Sequence, residues 1–231
     1  MNRLISKIIL LVLFTGFFIG CEKGDDSGLS ESEVIEGLKE ALKVGTNNSV
    51  VKANEKNGYY GDLRIKVPFP EDALVIKNTL ENTVPVIAEP LIDTLIVKLN
   101  RAAENAAIKA KPIFIDAILN ITFTDALNIL NGSDNAATMY LKTNTYSSLG
   151  TAFKPDIQVS LEEVGAQQAW KAVTKVYNSI PFVEPVNNDL AQFTTDKALT
   201  GLFVLIADEE AKIRKDPVAR INDILKKVFG Y

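Results

Sequence analysis

An all-α, bundle-like domain is the fold class this chain predicts. Through most of its length apolar residues return at the three- and four-residue spacing of a single helix face. Helix start signals stand at the heads of these stretches: a Ser or Thr three residues before an acid, or an Asp before a Pro. Only residues 63–67 alternate with the two-residue period of a strand, and a lone strand has no sheet to join.

The first helix is announced by Ser30 and Glu33, a capping box, followed by Val34, Ile35, Leu38, Ala41 and Leu42, with Gly45 as its expected stop. A weaker helix is expected through Val50, Val51 and Ala53, broken by Gly58 and Gly61. Leu63, Ile65 and Val67 then read as a short extended segment lying on the helices, ended by Pro68 and Pro70. Helical patterning resumes from Glu71 to about Thr83. A long helix follows from Pro85 or Pro90, rich in Ala (Ala102, Ala103, Ala106, Ala107), interrupted at Pro112 and resumed by residues 113–118.

Thr122 with Asp125 caps a short helix that Gly132 ends, and Ser133 is expected to cap the next. Helical patterns continue through Leu141 and return over residues 157–164 and 169–177. Residues 181–189, with two prolines and two asparagines, read as a loop. Thr194 or Thr195 opens a strong helix through Ile213, and Asp216-Pro217 opens the last, which carries Ile221, Ile224, Leu225 and Val228. With no repeat and no long heptad seam, residues 30–231 are expected to form a single domain.

The N-terminus gives an address. Arg3 and Lys7 precede an apolar run from Ile8 to Ile19, and Gly20 then precedes Cys21, the only cysteine. This is the layout of a signal peptide over residues 1–20 ending in a lipobox, with Cys21 taking a lipid and becoming the new N-terminus. The apolar run is shorter than the roughly 20 residues a spanning helix needs. Residues 21–29 read as the lipidated Cys and a flexible acidic tether. The expected location is the bacterial cell envelope, lipid-anchored, in the outer membrane of a Gram-negative bacterium, with the membrane as a partner through that lipid. Asp25 and Asp26 fit a surface-export signal or a plain solvated linker, so the side of the membrane stays open.

Composition narrows the chemistry. Hydrophobic residues make up 47 % of the chain, enough for a real core. Processing at Cys21 leaves 23 basic and 29 acidic residues, a net −6, which argues against nucleic acid as a partner. Histidine is absent, removing the commonest general base and transition-metal ligand, and no zinc spacing, calcium loop or Gly-rich phosphate loop occurs. No metal and no cofactor is implied.

Several segments carry a resemblance. They are Leu202 to Arg220 followed by Leu225 to Gly230, Leu38 to Leu42, Asn100 to Glu104, Pro112 to Phe114 with Asp116 to Ile118, and Asp134 to Tyr140. Together they resemble an uncharacterised bacterial family, domain of unknown function 4197, from about Leu29 to Tyr231. The resemblance implies an all-helical, secreted or lipid-anchored protein. It implies no activity and transfers no catalytic residue.

The charged residues offer two candidate clusters. In the tail, Glu210 and Arg214, like Asp208 and Lys212, are four apart on one helix face, while Asp216 and Arg220 frame the next helix start. They grip a polar ligand or fix the last two helices, and the structural reading is the expected one. On the long helix, Arg101 and Glu104 are three apart, and Asp116 stands among Phe114, Ile115 and Ile118. A buried Asp116 would need a partner, for which Arg101 is the candidate.

Ser49 to Lys52, Ser133-Asp134-Asn135 and Lys142-Thr143-Asn144 imitate the motifs of serine penicillin-recognising enzymes. The third lacks its Gly and the sheet is missing, so they are set aside. Trp170 and the tyrosines are expected to be packing residues rather than a sugar- or peptide-binding groove. The function expected is a non-enzymatic binding or structural module, whose ligand is an apolar small molecule or an envelope protein. The alternative is a carboxylate-dependent hydrolase with Asp116, Glu104 or Glu210 as base.

Overall fold

The computed structural model describes residues 28–124, 126–184 and 189–230. Among them are eight α-helices and no strand: α1 (Glu31–Asn54), α2 (Leu74–Thr83), α3 (Pro85–Asn120), α4 (Ala126–Leu130), α5 (Ala136–Glu163), α6 (Ala166–Asn178), α7 (Leu190–Lys215) and α8 (Asp223–Phe229). The all-α, bundle-like class is therefore what the chain adopts. Cys21, the preceding signal segment and the cap residue Asp125 lie outside the described residues.

Four long helices, α1, α3, α5 and α7, form an antiparallel ring. Cross-links fix their directions. Asn54 donates to the Glu104 carbonyl and Lys39 to that of Leu119, so α1 and α3 oppose one another. Lys98 reaches Val164 while Lys109 faces Asp156, so α3 opposes α5. Lys154 pairs with Asp189 and Tyr146 donates to the Asp196 carbonyl, so α5 opposes α7. Helix α3 is the hub, packing on α1, α2, α5, α6 and α7. Its alanines 102, 103, 106, 107 and 110 are fully buried, because only a methyl-sized side chain lets neighbours close in from several sides. Phe114 and Phe203 meet in the core with centroids 5.2 Å apart, a tilted pair worth about 1 kcal/mol beyond its burial.

Ser30 and Glu33 form the expected capping box on α1. Lys227, and after it the two hydrogen bonds from Ser30, hold the Glu33 carboxyl down at about 2. Gly45 does not stop α1, which runs on to Asn54. It faces α7, where an added Cβ would stand in ordinary contact, 3.4 Å from that of Glu209. Gly201, by contrast, makes room for Tyr59: a Cβ at that position would meet the ring at 2.7 Å.

Pro112 does not interrupt α3, and Pro90 and Pro155 also lie inside helices. A helical proline deprives the residue four positions earlier of its hydrogen-bond donor. Those residues, Val86, Ile108 and Thr151, are all exposed, so water can replace the lost donor. Residues 63–65 form turns and residues 66–68 have no regular structure, so the alternating segment is not a strand. Ile65 and Val67 are nonetheless inside the core, joined by Phe69, whereas Leu63, the first of the alternating residues, is exposed.

Two further starts differ from the sequence reading. Helix α7 begins at Leu190, with Asp189 accepting from the Gln192 amide, ahead of Thr194. Asp216-Pro217 opens only a single 3₁₀ turn, Pro217–Ala219, and Asn222 caps α8.

Candidate functional site

The tail cluster is a buried joint. Glu210 is fully buried on α7, and both of its oxygens are used. Oε1 accepts from the Ala137 amide at 3.1 Å and from Arg214 Nε at 2.8 Å; Oε2 accepts from the Thr138 amide at 2.7 Å and its hydroxyl at 2.6 Å. These amides belong to the first turn of α5, where N–H groups have no intrahelical acceptor and the helix dipole favours an anion. Arg214 turns the other way. It donates to the carbonyls of Leu130 at 2.5 Å and Ile129 at 3.1 Å, at the C-terminal end of α4, and lies over the Phe229 ring of α8. One ion pair on α7 thus puts a carboxylate on the N-terminus of α5 and a guanidinium on the C-terminus of α4, the favourable sign at each end.

Ser133, the expected cap of α5, instead donates to the Asn135 side chain. Asp216 accepts from the Val218 amide, and Arg220 donates to the carbonyls of Ile213 and Arg214, closing the end of α7. Asp208 does not pair with Lys212: it binds Arg64 at 2.8 Å, while Lys212 pairs with Glu209.

Arg101 and Glu104 also work on backbone. Buried Glu104 accepts from the amides of Tyr59 and Tyr60 at 3.3 and 3.1 Å and pairs with Arg101, which in turn donates to Asn57 at 2.7 Å. Burial, with the Glu104 charge alongside, pushes the Tyr59 phenol far above its usual range, and its hydroxyl donates to the Ala198 carbonyl.

One residue of this face was not singled out in the sequence. Asn100, fully buried, accepts from the Val67 amide at 2.9 Å and donates to the Val67 carbonyl at 2.8 Å, imitating a strand partner. It also donates to the Ile96 carbonyl. An amide inside an otherwise apolar stripe (Leu95, Leu99, Ala103) was the available signal.

Asp116 is exposed rather than buried, and among the described residues its side chain accepts from Asn120, at 3.1 Å. Arg101 lies fifteen residues away on the same helix, roughly 22 Å along the axis, so the expected pairing does not form. Instead Asp116 lines a groove of about 630 Å³, open to solvent, between the C-terminal third of α3 and the first half of α5. The apolar floor is made by Ile113, Ala117, Ile121 and Leu149, and Asn120, Thr122, Tyr140, Asn144, Thr145 and Ser148 line its polar parts.

A smaller depression of about 390 Å³ gathers Glu71, Asp72, Asp189 and Asp196. Lys197 pairs with Glu71 at 2.6 Å and Lys154 with Asp189 at 2.8 Å, and Lys154 holds the Asp189 carboxyl below its usual range. Among the described residues no group of three or more acidic residues is arranged to hold a metal ion. Trp170, Tyr59 and Tyr177 are buried packing, as expected, whereas Tyr140 faces the groove. Ser49, the first residue of the enzyme-like motifs, is buried within α1.

A family model described as "Protein of unknown function (DUF4197)" matches residues 28–230. No curated protein and no solved structure matches the chain.

Proposed function

Because the chain belongs to the DUF4197 family of proteins of unknown function, we propose its role from its own residues: a lipid-anchored envelope protein that binds a small ligand without transforming it. The observation that carries this reading is how the polar groups are divided. Glu104 and Glu210, two of the three candidate bases, are buried and have both oxygens engaged by backbone amides, arginines and, for Glu210, the Thr138 hydroxyl, so neither is presented to a substrate in solvent. The third, Asp116, is twelve residues from Glu104 on one helix, roughly 18 Å, too far for paired acid–base work. What the domain offers solvent is the α3–α5 groove, with an apolar floor and polar walls, the usual make-up of a ligand site.

The anchor rests on Gly20-Cys21 after the apolar run. No helix among the described residues is long and apolar enough to cross a membrane. Native mass spectrometry of the full-length protein, extracted in mild detergent, tests both parts. The wild type is expected to carry lipid mass at the N-terminus and a retained small molecule. Cys21→Ser is expected to lose the lipid and move to the soluble fraction, and Ala152→Trp, which fills the groove, to lose the small molecule while keeping the lipid. A free Cys21 thiol in mature protein contradicts the anchor; a retained molecule indifferent to Ala152→Trp contradicts the groove.

A further inference from the structure

Resting on the reading of the α3–α5 groove as a binding site, we infer that its ligand is an organic cation, an ammonium group carried on an apolar body. The inference comes from where the protons in the lining point. Tyr140 gives its hydroxyl proton to the Thr122 carbonyl at 2.7 Å, Thr145 gives its own to Leu141 at 2.6 Å, and Ser148 to Thr145 at 2.9 Å. Asn144 donates to the Tyr140 carbonyl at 2.8 Å, and Asn120 to the backbone and side-chain oxygens of Asp116 at 2.9 and 3.1 Å.

These donors are therefore turned inward onto the backbone or onto Asp116. What they leave facing the groove is oxygen: the lone pairs of the Thr145 and Ser148 hydroxyls, the amide oxygens of Asn120 and Asn144, and the second carboxylate oxygen of Asp116. The Thr122 hydroxyl, one Asn144 N–H and the Thr124 hydroxyl, which lies 3.5 Å from the Tyr140 hydroxyl oxygen, are the side-chain donors left over. Among the described residues, Asp116 is the only ionisable acid or base in the lining apart from the Tyr140 phenol, and no lysine or arginine is part of it. A wall of acceptors around a single negative charge is satisfied by a ligand that brings protons and positive charge. A carboxylate or phosphate would meet lone pairs and like charge, and would leave both sides unpaired. The floor of Ile113, Ala117, Ile121 and Leu149 covers an apolar body behind the cationic head.

The test uses three probes with one aromatic body and different heads: phenethylamine, 2-phenylethanol and phenylacetate. Each is titrated into the isotope-labelled, full-length protein in detergent, and backbone NMR resonances are followed. Phenethylamine is expected to shift the resonances of residues 113–124 and 140–152 saturably, with 2-phenylethanol at least about tenfold weaker and phenylacetate without effect, the size of one charge-assisted hydrogen bond. Asp116→Asn, an exposed substitution the fold tolerates, is expected to bring phenethylamine down to the level of the alcohol. A fourth probe, N-acetyl-lysine methylamide, presents the ammonium on a peptide; its binding in place of phenethylamine supports the cation and makes a peptide side chain its source. If the alcohol or the acid binds as well as the amine, or if Asp116→Asn leaves amine binding unchanged, the cationic ligand is overturned while the groove stands. If no probe shifts groove resonances, the groove reading falls with it.

Discussion

Glu210→Ala is expected to destabilise the protein by about 3–5 kcal/mol, the usual penalty for breaking a buried ion pair by removing one partner. Three losses combine. The Ala137 and Thr138 amides lose their acceptor at a buried helix start, Thr138 loses its hydroxyl partner, and Arg214 is left largely buried with only carbonyls around it. For about 200 folded residues this corresponds to a fall in melting temperature of roughly 6–20 °C, read by calorimetry. Glu210→Gln is expected to fall between wild type and Ala, because its single carbonyl oxygen can serve one amide but not both. Glu210→Ala/Arg214→Ala is expected to cost less than the sum of the single changes, since each group is most expensive when the other is left behind. Additive losses would mean that the two side chains do not act as one joint.

The second large effect is expected at Asn100. Asn100→Ala leaves both the N–H and the C=O of Val67 unpaired in a buried position, at about 1–3 kcal/mol for each group. Summed, the loss approaches that of Glu210→Ala, although no charge is involved. Asn100→Leu restores volume but neither hydrogen bond, so it is expected to recover little. Denaturant unfolding of the two variants measures this, and a leucine variant as stable as wild type would show that packing, not pairing, is what Asn100 supplies. Val67 sits between buried Ile65 and Phe69, so loosening it is also expected to increase amide exchange across residues 63–69 before global unfolding.

What the sequence revealed and what it concealed divide along local and distant contacts. The capping box of Ser30 and Glu33, the helix spacing and the shared face of Glu210 and Arg214 all depend on residues three or four apart, and they could be read directly. That Glu210 caps α5 could not be read, because its partners lie 72 and 73 residues earlier in the chain. The sequence suggested Ser133 for that task on local grounds, and a tertiary contact took it over.

Asp116 shows the opposite error. Phe114 and Ile118 are four apart and share the buried face, but a residue midway between them points roughly 200° around the helix from each, toward solvent. Apolar neighbours in sequence are not neighbours in space. The prolines misled in the same way: whether one breaks a helix depends on whether the carbonyl it orphans can reach water, which a linear pattern does not show. The groove itself left a faint local trace in the run of hydroxyl and amide side chains from Thr143 to Ser148, but its second wall comes from α3.

At the centre of this account is the claim that the protein's buried carboxylates are spent holding backbone amides, Glu104 those of a turn and Glu210 those of a helix start. Amide hydrogen exchange at Ala137 and Thr138 in the unmodified protein tests it most directly. First-turn amides ordinarily exchange quickly, having no acceptor within their own helix. Here both are expected to be protected to the level of the helix interior, because the Glu210 carboxylate accepts from each. Exchange at the rate of a frayed helix start would show that Glu210 is free, and with it a buried carboxylate available for other work.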